Sequence, residues 1–166
     1  MTEDADKYRF RALWSNFPTG VSVISFYTPD GGIHGITANS VCSVSLDPLL
    51  ILVCVAHNAR SFPMLDASDR FVMNFLAQGQ EEHSNFFASS KTEGAGPFEW
   101  GKTASGLPTL KGALGFMDCT VHAKHEAGDH TIFVGRVDEM SVHEGVEPLA
   151  YIQGKYTKVV TPASLP

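Results

Sequence analysis

The sequence predicts a mainly β protein, built as an antiparallel barrel with a few peripheral helices. The 166 residues contain about seven or eight runs with strand character, and only about two or three short helical segments. These strands do not alternate one-for-one with helices, as the strands of a doubly wound parallel sheet would. Fifteen glycines and nine prolines supply many turns, which is typical of short antiparallel strands rather than of a helical bundle.

The amino-terminal segment predicts a helix over residues 4–17. Pro18-Thr19-Gly20 ends this helix, because proline and glycine interrupt helical backbone. Apolar side chains recur in the segment at helical spacing and therefore share one face. These side chains are Phe10, Leu13, Trp14 and Phe17.

Strands dominate the next part of the chain, bounded by turn residues such as Asp30-Gly31 and Asp47-Pro48. The strand over residues 49–56 is apolar without interruption, so we expect it to be central and buried on both faces. A short helix opens within residues 58–63, with Pro63 in its first turn. The predicted strands cover residues 21–27, 33–37, 41–46, 49–56 and 71–76.

The second half of the chain predicts one more helix, over residues 81–90, and three strands. Residues 91–112 are rich in glycine and proline and predict a long irregular connection, a feature that is often functional. A hairpin turn falls at residues 126–130. The three strands are expected over residues 116–124, 131–140 and 154–160.

The composition limits the partners that this chain can have. Its net charge is −6, from 12 basic and 18 acidic side chains, which disfavours a nucleic-acid partner but permits an anionic ligand in a local pocket. No apolar run approaches the ~20 residues that span a bilayer, and the charged amino terminus is not a signal peptide. Three cysteines at unrelated spacings predict neither a disulfide framework nor a zinc site. We expect a single domain over residues 1–166, with its core at about 8–160, in the cytoplasm and without a membrane partner.

Small polar side chains crowd the segment between two predicted strands, from Thr37 to Ser45. Their hydroxyl groups and the main-chain amides could surround a phosphate or a polar heterocycle without adding net charge. An edge strand with a solvated serine face explains the same residues equally well. The segment contains Thr37, Ala38, Asn39, Ser40, Cys42, Ser43 and Ser45.

Two further segments place a cation beside small or aromatic groups. Arg60-Ser61, at a predicted helix start, offers a forked donor, a hydroxyl and free main-chain N–H groups to an anion. Phe86-Phe87 precede Lys91 at the end of the next helix, where the rings could pack on a flat ligand and the ammonium could reach a phosphate. Ordinary roles explain both segments as well, with Asn58 as a helix cap, Arg60 as a surface charge and the phenylalanines as core.

A histidine stands at the turn between the two long predicted strands. Asp129-His130 places an imidazole at the rim of the barrel, where it could donate a proton or position a ligand. An ordinary hairpin turn at Gly128-Asp129 is the plainer explanation. His122 and His125 make a metal site conceivable, but their spacing matches no metal-binding pattern, and we predict no metal. No nucleophile stands out, because the cysteines lie in strand-like runs where thiols are usually inert.

Taken in order, these segments resemble the flavin reductase family, the short-chain NAD(P)H:flavin oxidoreductases that serve two-component monooxygenases. The resemblance spans roughly residues 8–160. It is carried by residues 16–24, 35–40, 43–48, 70–71, 87–88, 127–135 and 148–151.

The resemblance implies an FMN-binding split β-barrel with Greek-key connections, usually a homodimer, that holds FMN or FAD non-covalently. It implies that NADH or NADPH reduces the flavin by hydride transfer, and that the reduced flavin diffuses to a partner oxygenase. A non-catalytic flavin carrier or redox sensor on the same barrel is the alternative. The choices between FMN and FAD, and between NADH and NADPH, stay open at this stage.

The resemblance also implies roles for individual residues, with His130 as the expected catalytic residue. The implied cofactor-binding residues are Thr37, Ala38, Asn39, Ser40, Ser43, Ser45, Cys54, Val55, Ala56, Arg60, Ser61, Phe87 and Lys91. The implied nicotinamide-binding residues are Pro18, Thr19, Gly20, His130, Tyr151, Gly154 and Tyr156.

Overall fold

The computed structural model describes residues 3–160 as three helices and twelve strands. The helices are α1 (Glu3–Trp14), α2 (Phe62–Asp66) and α3 (Glu81–Ala88). The strands are β1 (Thr19–Gly20), β2 (Ser22–Tyr27), β3 (Ile33–Ala38), β4 (Val41–Leu46), β5 (Leu49–Ala56), β6 (Arg70–Phe75), β7 (Trp100–Lys102), β8 (Pro108–Leu110), β9 (Gly115–Ala127), β10 (His130–Val142), β11 (Leu149–Ile152) and β12 (Lys155–Lys158). The prediction of a mainly β, antiparallel protein with few helices is confirmed.

Seven strands form one antiparallel sheet in the order β3-β2-β6-β9-β10-β5-β4. Its two outer strands, β3 and β4, are consecutive in the chain and are joined only by Asn39 and Ser40. Because so short a connection spans only a few ångströms, the sheet must curl until its edges meet. Within residues 3–160, β3 and β4 are not paired with each other. The barrel is therefore split along this line, as predicted.

Apolar side chains that point inward from β2, β5, β6 and β10 fill the barrel. The wall is tight where Gly135 on β10 faces Phe71 on β6, because a Cβ at Gly135 would lie only 2.6 Å from Phe71 Cζ. The core includes Ile24, Phe26, Ile51, Val53, Val55, Phe71, Met73 and Phe133. A second cluster packs beside α3 and includes Val21, Val23, Leu76, Phe87, Leu110, Ala113 and Leu149.

A buried asparagine connects three strands of the structure. Asn74 on β6 donates from Nδ2 to the carbonyl of Val23 (2.9 Å) and to Ser25 Oγ (2.8 Å), both on β2. Its Oδ1 accepts a hydrogen bond from the main-chain N–H of Leu110 on β8 (2.8 Å). Ser25 Oγ donates in turn to the carbonyl of Pro108 on β8 (2.7 Å). These bonds attach the short strand β8 to the barrel and leave no polar atom of the Asn74 amide unpaired.

The prediction that residues 91–112 are irregular throughout is wrong, because β7 and β8 pair within them as a small hairpin. Each strand has three residues, too few for a periodic pattern to show in the sequence. Gly101 permits the pairing, since a Cβ there would lie 2.8 Å from Thr109 Oγ1 across the hairpin.

The carboxyl-terminal part also differs from the prediction of one strand over residues 154–160. Two short strands, β11 and β12, form a tight hairpin, and β1 pairs with β11 to complete a small three-stranded sheet. The turn consists of Gln153 and Gly154, and both have positive φ (49° and 75°). Such a turn is typical of two-residue hairpins, but glutamine is not the residue that usually marks one.

The prediction that β5 is central and buried on both faces is wrong. Its alternate residues Ile51, Val53 and Val55 point into the core and are buried, whereas the outward-facing residues between them are only half-buried. β5 lies one strand from the edge of the sheet. The uninterrupted apolar run therefore contains an outward face that this fold leaves partly open to solvent.

Both predicted helices in the first half differ in extent from the structure. Helix α1 ends at Trp14 instead of residue 17, and its predicted apolar face is exposed. Helix α2 begins at Phe62, so Arg60 and Ser61 lie in the preceding turn, which is held by the hydrogen bond from the N–H of Phe62 to the carbonyl of Ala59 (2.9 Å). Among residues 3–160, no helix has the length and apolar character needed to cross a membrane.

We predict that Asn74→Ala destabilises the fold strongly. The change removes both ends of the link between β2, β6 and β8 and leaves buried partner groups unpaired, so the free energy of unfolding should fall by roughly 2–4 kcal/mol. Urea denaturation measures this change. The control is Asn16→Ala, which alters an exposed asparagine that bonds to the carbonyl of Ala12 and should cost far less. Equal losses for the two variants would contradict the role of Asn74.

Candidate functional site

A groove made of three adjoining cavities runs beside the free edge of β3. The first, which we call the Arg60 cavity, has a volume of about 240 Å³ and lies between β3, the turn before α2, and α3 with the loop after it. The second, the Tyr156 cavity, has about 280 Å³ and shares Thr37 with the first. The third, the aromatic cleft, has about 210 Å³ and shares Asn39 and Tyr151 with the second.

The Arg60 cavity combines one cation with several neutral hydroxyl groups. Arg60 Nη1 forms an ion pair with Glu93 Oε1 at 2.8 Å, and most of the glutamate side chain is exposed. Ser61 and the loop after α3 supply the hydroxyl groups, and Phe86 and Phe87 supply aromatic walls. The backbone of β3 forms another part of the wall. The polar residues that line the cavity are His34, Thr37, Asn58, Arg60, Ser61, Ser89, Ser90 and Thr92.

Glycine at position 35 lets α3 pack against β3 and so shapes the wall of this cavity. A Cβ on Gly35 would lie 2.8 Å from Phe87 Cδ1 and 3.1 Å from Val23 Cγ1. The Phe87 ring therefore occupies space that any other residue at position 35 would fill. Thr37, two residues along the same strand, fixes the register of the helix by donating from Oγ1 to the carbonyl of Ser84 (2.7 Å).

Two tyrosines and α3 form the Tyr156 cavity. The Tyr156 hydroxyl lies 2.9 Å from Ser84 Oγ and 2.8 Å from Asn85 Oδ1, both on α3. The rings of Tyr151 and Tyr156 meet edge to face with centroids 5.3 Å apart. The β11–β12 hairpin is thereby held against the helix, and a polar wall faces Thr37.

The aromatic cleft extends the groove to α1. Trp14 and Phe17 stack with ring centroids 5.5 Å apart, and both line the cleft. Asn39 Nδ2 donates to Thr19 Oγ1 across it (3.3 Å). Arg11 also lines this cleft, so a ligand in the groove would meet aromatic rings and a guanidinium at this end and the Arg60 guanidinium at the other.

The groove brings together residues from the first set that the sequence singled out, the implied cofactor-binding residues, and from the second set, the implied nicotinamide-binding residues. Thr37, Asn39, Arg60, Ser61 and Phe87 of the first set line it, together with Thr19, Tyr151 and Tyr156 of the second. Among the described residues that line these three cavities, Lys91 does not occur, and its neighbours Ser89, Ser90 and Thr92 do. The sequence points to that loop, but it does not indicate which of its side chains turn inward.

Other predicted residues do not occur among the described residues that line the three cavities. Ser40 accepts a hydrogen bond from the main-chain N–H of Cys54 (3.0 Å), and burial raises the pKa of the Cys54 thiol. Ala38 and Val55 are buried, Ala56 ends β5, Ser43 and Ser45 lie on the edge strand β4, and Pro18, Gly20 and Gly154 belong to backbone turns or short strands. The binding roles of all these residues stay predictions.

His130 is the first residue of β10 and lies opposite Ala56 on β5. Its Nδ1 is 2.7 Å from Asp129 Oδ1, and the hydrogen bond lowers the pKa of the Asp129 carboxyl. Because the carboxylate accepts from Nδ1–H, Nε2 is left as the imidazole atom available to a ligand. Within residues 3–160, the three cavities of the groove are not lined by His130.

No group of three or more histidine, cysteine, aspartate or glutamate side chains within residues 3–160 is arranged to hold a metal ion. His125 faces Ile132 across the sheet, so the strand register separates the histidines that made a metal site conceivable. The three cysteines are free, and burial raises the pKa of the Cys119 thiol to about 12.

Comparison with known proteins agrees with the fold. Residues 14–159 match the family model described as a flavin reductase like domain. The chain is 33% identical over 159 residues to actinorhodin polyketide dimerase of Streptomyces coelicolor, covering 96% of this chain and 90% of that protein. It is 32% identical over 161 residues to the flavin-dependent monooxygenase reductase subunit HsaB of Mycobacterium tuberculosis, covering 96% of this chain and 86% of that protein.

A solved structure is equally similar. The NADH:FAD oxidoreductase SgcE6 of Streptomyces globisporus C-1027, in complex with NAD and FAD fragments, superposes with a TM-score of 0.90 at 31% identity, covering 99% of each chain. The fold therefore defines this protein as a split antiparallel β-barrel with a groove beside β3. The chain belongs to the flavin reductase family, and the resemblance found in the sequence is confirmed.

We predict that Gly35→Ala disturbs the groove by pushing Phe87 away from β3. Overpacking of this kind costs about 1–3 kcal/mol of stability, measurable by urea denaturation, and the Phe87 ring resonances should shift in an NMR spectrum. The matched control is Gly20→Ala, because no atom lies within 4 Å of the position of its added Cβ. A Gly35→Ala protein as stable as the Gly20→Ala protein would contradict the close packing described here.

Proposed function

We propose that this protein is an NAD(P)H:flavin oxidoreductase that reduces FMN or FAD and supplies the reduced flavin to a partner monooxygenase. The observation that carries the proposal is the continuous groove, in which the predicted flavin residues Thr37 and Asn39 stand beside the predicted nicotinamide residues Tyr151 and Tyr156. The names of the relatives, a monooxygenase reductase subunit and an NADH:FAD oxidoreductase, support it.

The flavin phosphate is placed in the Arg60 cavity and the ring towards the Tyr156 cavity. The single cation and the hydroxyl groups of the first cavity suit a phosphate ester, and the polar, uncharged walls near Thr37 suit the edge of a flat heterocycle. When bound, the flavin supplies the redox chemistry by accepting hydride at N5 from nicotinamide C4. The task of the chain is to hold the two rings face to face at about 3–3.5 Å.

The nicotinamide is placed between the tyrosine hairpin and the aromatic cleft. Tyr151 and Thr19 flank this space, and Tyr156 is fixed by its two hydrogen bonds to α3. The role of His130 rests on the family resemblance and on Asp129, which orients its imidazole. Hydride transfer needs no thiol, and the three free cysteines support a reducing cytoplasm as the place of action.

The charge of the site supports release of the flavin after reduction. Arg60 is the cation of its cavity and is already paired with Glu93, so an incoming phosphate competes with an internal carboxylate. A phosphate held in this way is bound moderately, as an enzyme that hands over a diffusible product requires.

We predict that purified protein oxidises NADH or NADPH when FMN or FAD is added, and that His130→Ala lowers this rate by at least about tenfold while flavin still binds. Stopped-flow absorbance gives the rate, and flavin fluorescence titration gives the affinity. His125→Ala, in the neighbouring strand, is the control and should keep the full rate.

The alternative, a flavin carrier or redox sensor, makes the opposite prediction. Flavin binding without turnover with either nucleotide would exclude the reductase and favour the carrier. A full rate in His130→Ala would remove that residue from the mechanism without excluding the activity.

We also propose that the protein is a homodimer. Support comes from apolar residues of β4 and the start of β5 that one subunit leaves exposed: Leu46 is 88% exposed, Val44 48% and Leu49 37%. Leu46 and Leu49 lie opposite each other where β4 and β5 meet. An apolar surface of this kind is typical of a contact with another protein. A second copy of the chain would cover these exposed side chains.

We predict that the protein has the mass of two 18.0 kDa chains in light scattering after size-exclusion chromatography. Leu46→Asp together with Leu49→Asp should give folded monomers, because the substitutions place two charges in an apolar contact. Val160→Asp, at a 90% exposed residue that belongs to neither β4 nor β5, should stay dimeric. A monomeric wild-type protein would contradict the homodimer.

A further inference from the structure

We propose that His34 is a positioning residue for the phosphate end of the flavin. Its imidazole donates from Nε2–H to Ser61 Oγ and so directs the serine hydroxyl hydrogen towards the ligand in the Arg60 cavity. This inference rests on the proposed function, because it concerns the placement of the flavin phosphate. Neither the composition nor the family resemblance singles out His34.

The pair is buried and spans two separate elements. His34 Nε2 lies 2.9 Å from Ser61 Oγ, and the residues are only 7% and 8% exposed. His34 is on β3 and Ser61 is in the turn before α2, and both line the Arg60 cavity. A buried polar pair in the wall of a cavity, beside its cation, is placed to act on whatever that cavity binds.

Ser61 holds the N-cap position of α2, but its side chain makes no capping hydrogen bond. A serine at this position usually stabilises its helix by accepting from a main-chain N–H of the first turn. Here the hydroxyl is held by His34 instead. The helix thus forgoes an ordinary source of stability, and the hydroxyl is kept at the cavity wall.

The direction of the hydrogen bond decides whether the hydroxyl can serve a phosphate. A serine hydroxyl has one hydrogen to donate. If the Ser61 hydroxyl donated this hydrogen to an unprotonated Nε2 of His34, only the lone pairs of Oγ would face a phosphate. Those lone pairs would repel the phosphate oxygens. With Nε2–H as the donor, the hydroxyl hydrogen is free for a phosphate oxygen, and the bond to an anion is charge-assisted.

The surroundings keep the imidazole neutral. Burial, followed by the nearby Arg60 guanidinium, lowers the pKa of His34, although Glu93 acts in the opposite direction. Arg60 thus provides the charge, and the pair formed by His34 and Ser61 provides a neutral donor of fixed direction. The His34 ring also packs against Phe26, with centroids 5.7 Å apart, so a purely structural role must be separated by experiment.

The test compares FMN with riboflavin, which has the same ring system but no phosphate. His34→Phe keeps an aromatic ring against Phe26 and removes the donor. We expect it to raise the Kd of FMN by about tenfold, the loss of one hydrogen bond to a charged group, and to leave the Kd of riboflavin unchanged. His34→Gln, which returns an N–H near the position of Nε2, should restore most of the affinity for FMN.

A double-mutant cycle tests whether His34 acts through Ser61. Ser61→Ala should weaken FMN binding about as much as His34→Phe, and combining the two should add nothing further. An equal loss for FMN and riboflavin in His34→Phe, or additive losses in the double variant, would overturn the inference. Thermal unfolding of each variant checks that the fold is kept.

A measurement on the unaltered protein covers the case in which the variants fail to fold. ¹⁵N NMR of labelled histidine should show Nε2–H as the tautomer of His34, with a resonance that shifts on binding FMN and much less on binding riboflavin. An Nδ1–H tautomer would overturn the inference. Arg60→Ala distinguishes a failure of the proposed phosphate placement from a failure of the His34 proposal. If Arg60→Ala does not weaken FMN binding relative to riboflavin binding, the placement of the phosphate in the Arg60 cavity is wrong, independently of the results for His34.

Discussion

The free edge of β3 is the constraint on which the site depends. Within residues 3–160, β3 pairs with β2 but not with β4, although only Asn39 and Ser40 separate β3 and β4 in the chain. α3 packs on β3 at Gly35 and Thr37, and Ser61 in the turn before α2 bonds to His34 of the same strand. The groove is the space that remains between them, so its walls come from segments that are distant in the chain but fixed to one strand.

The chemistry of the groove follows from how little charge it contains. Within the described residues, two guanidiniums line it, Arg60 engaged by a carboxylate and Arg11 at the aromatic cleft, among hydroxyl groups, amides and aromatic rings. Such a lining suits the proposed release of the reduced flavin, because few charged contacts hold the ligand. Orientation therefore comes from small groups whose positions are fixed by packing: Phe87 by the absence of a side chain at Gly35, Thr37 by its bond to α3, and Ser61 by His34.

The sequence predicts the barrel strands well, because their alternating or β-branched runs reflect a core on one side. It does not predict β7 and β8, whose three residues each depend on a buried Asn74 that is far away in the chain. It overstates the burial of β5, since an apolar run does not reveal whether its second face meets the same chain. At the site, the resemblance names several segments that line the groove, and their binding roles stay predictions. The contact between His34 and Ser61, 27 residues apart, leaves no local pattern and appears only in three dimensions.

A crystal structure of the protein with bound FMN tests the central claim most directly, since the claim is about where each end of the flavin lies. We expect the phosphate within hydrogen-bond distance of Arg60 and the Ser61 hydroxyl, and the isoalloxazine ring extending past Thr37 towards Tyr156. A phosphate bound outside the Arg60 cavity, or a ring on the outward face of β5 beside His130, would contradict the account.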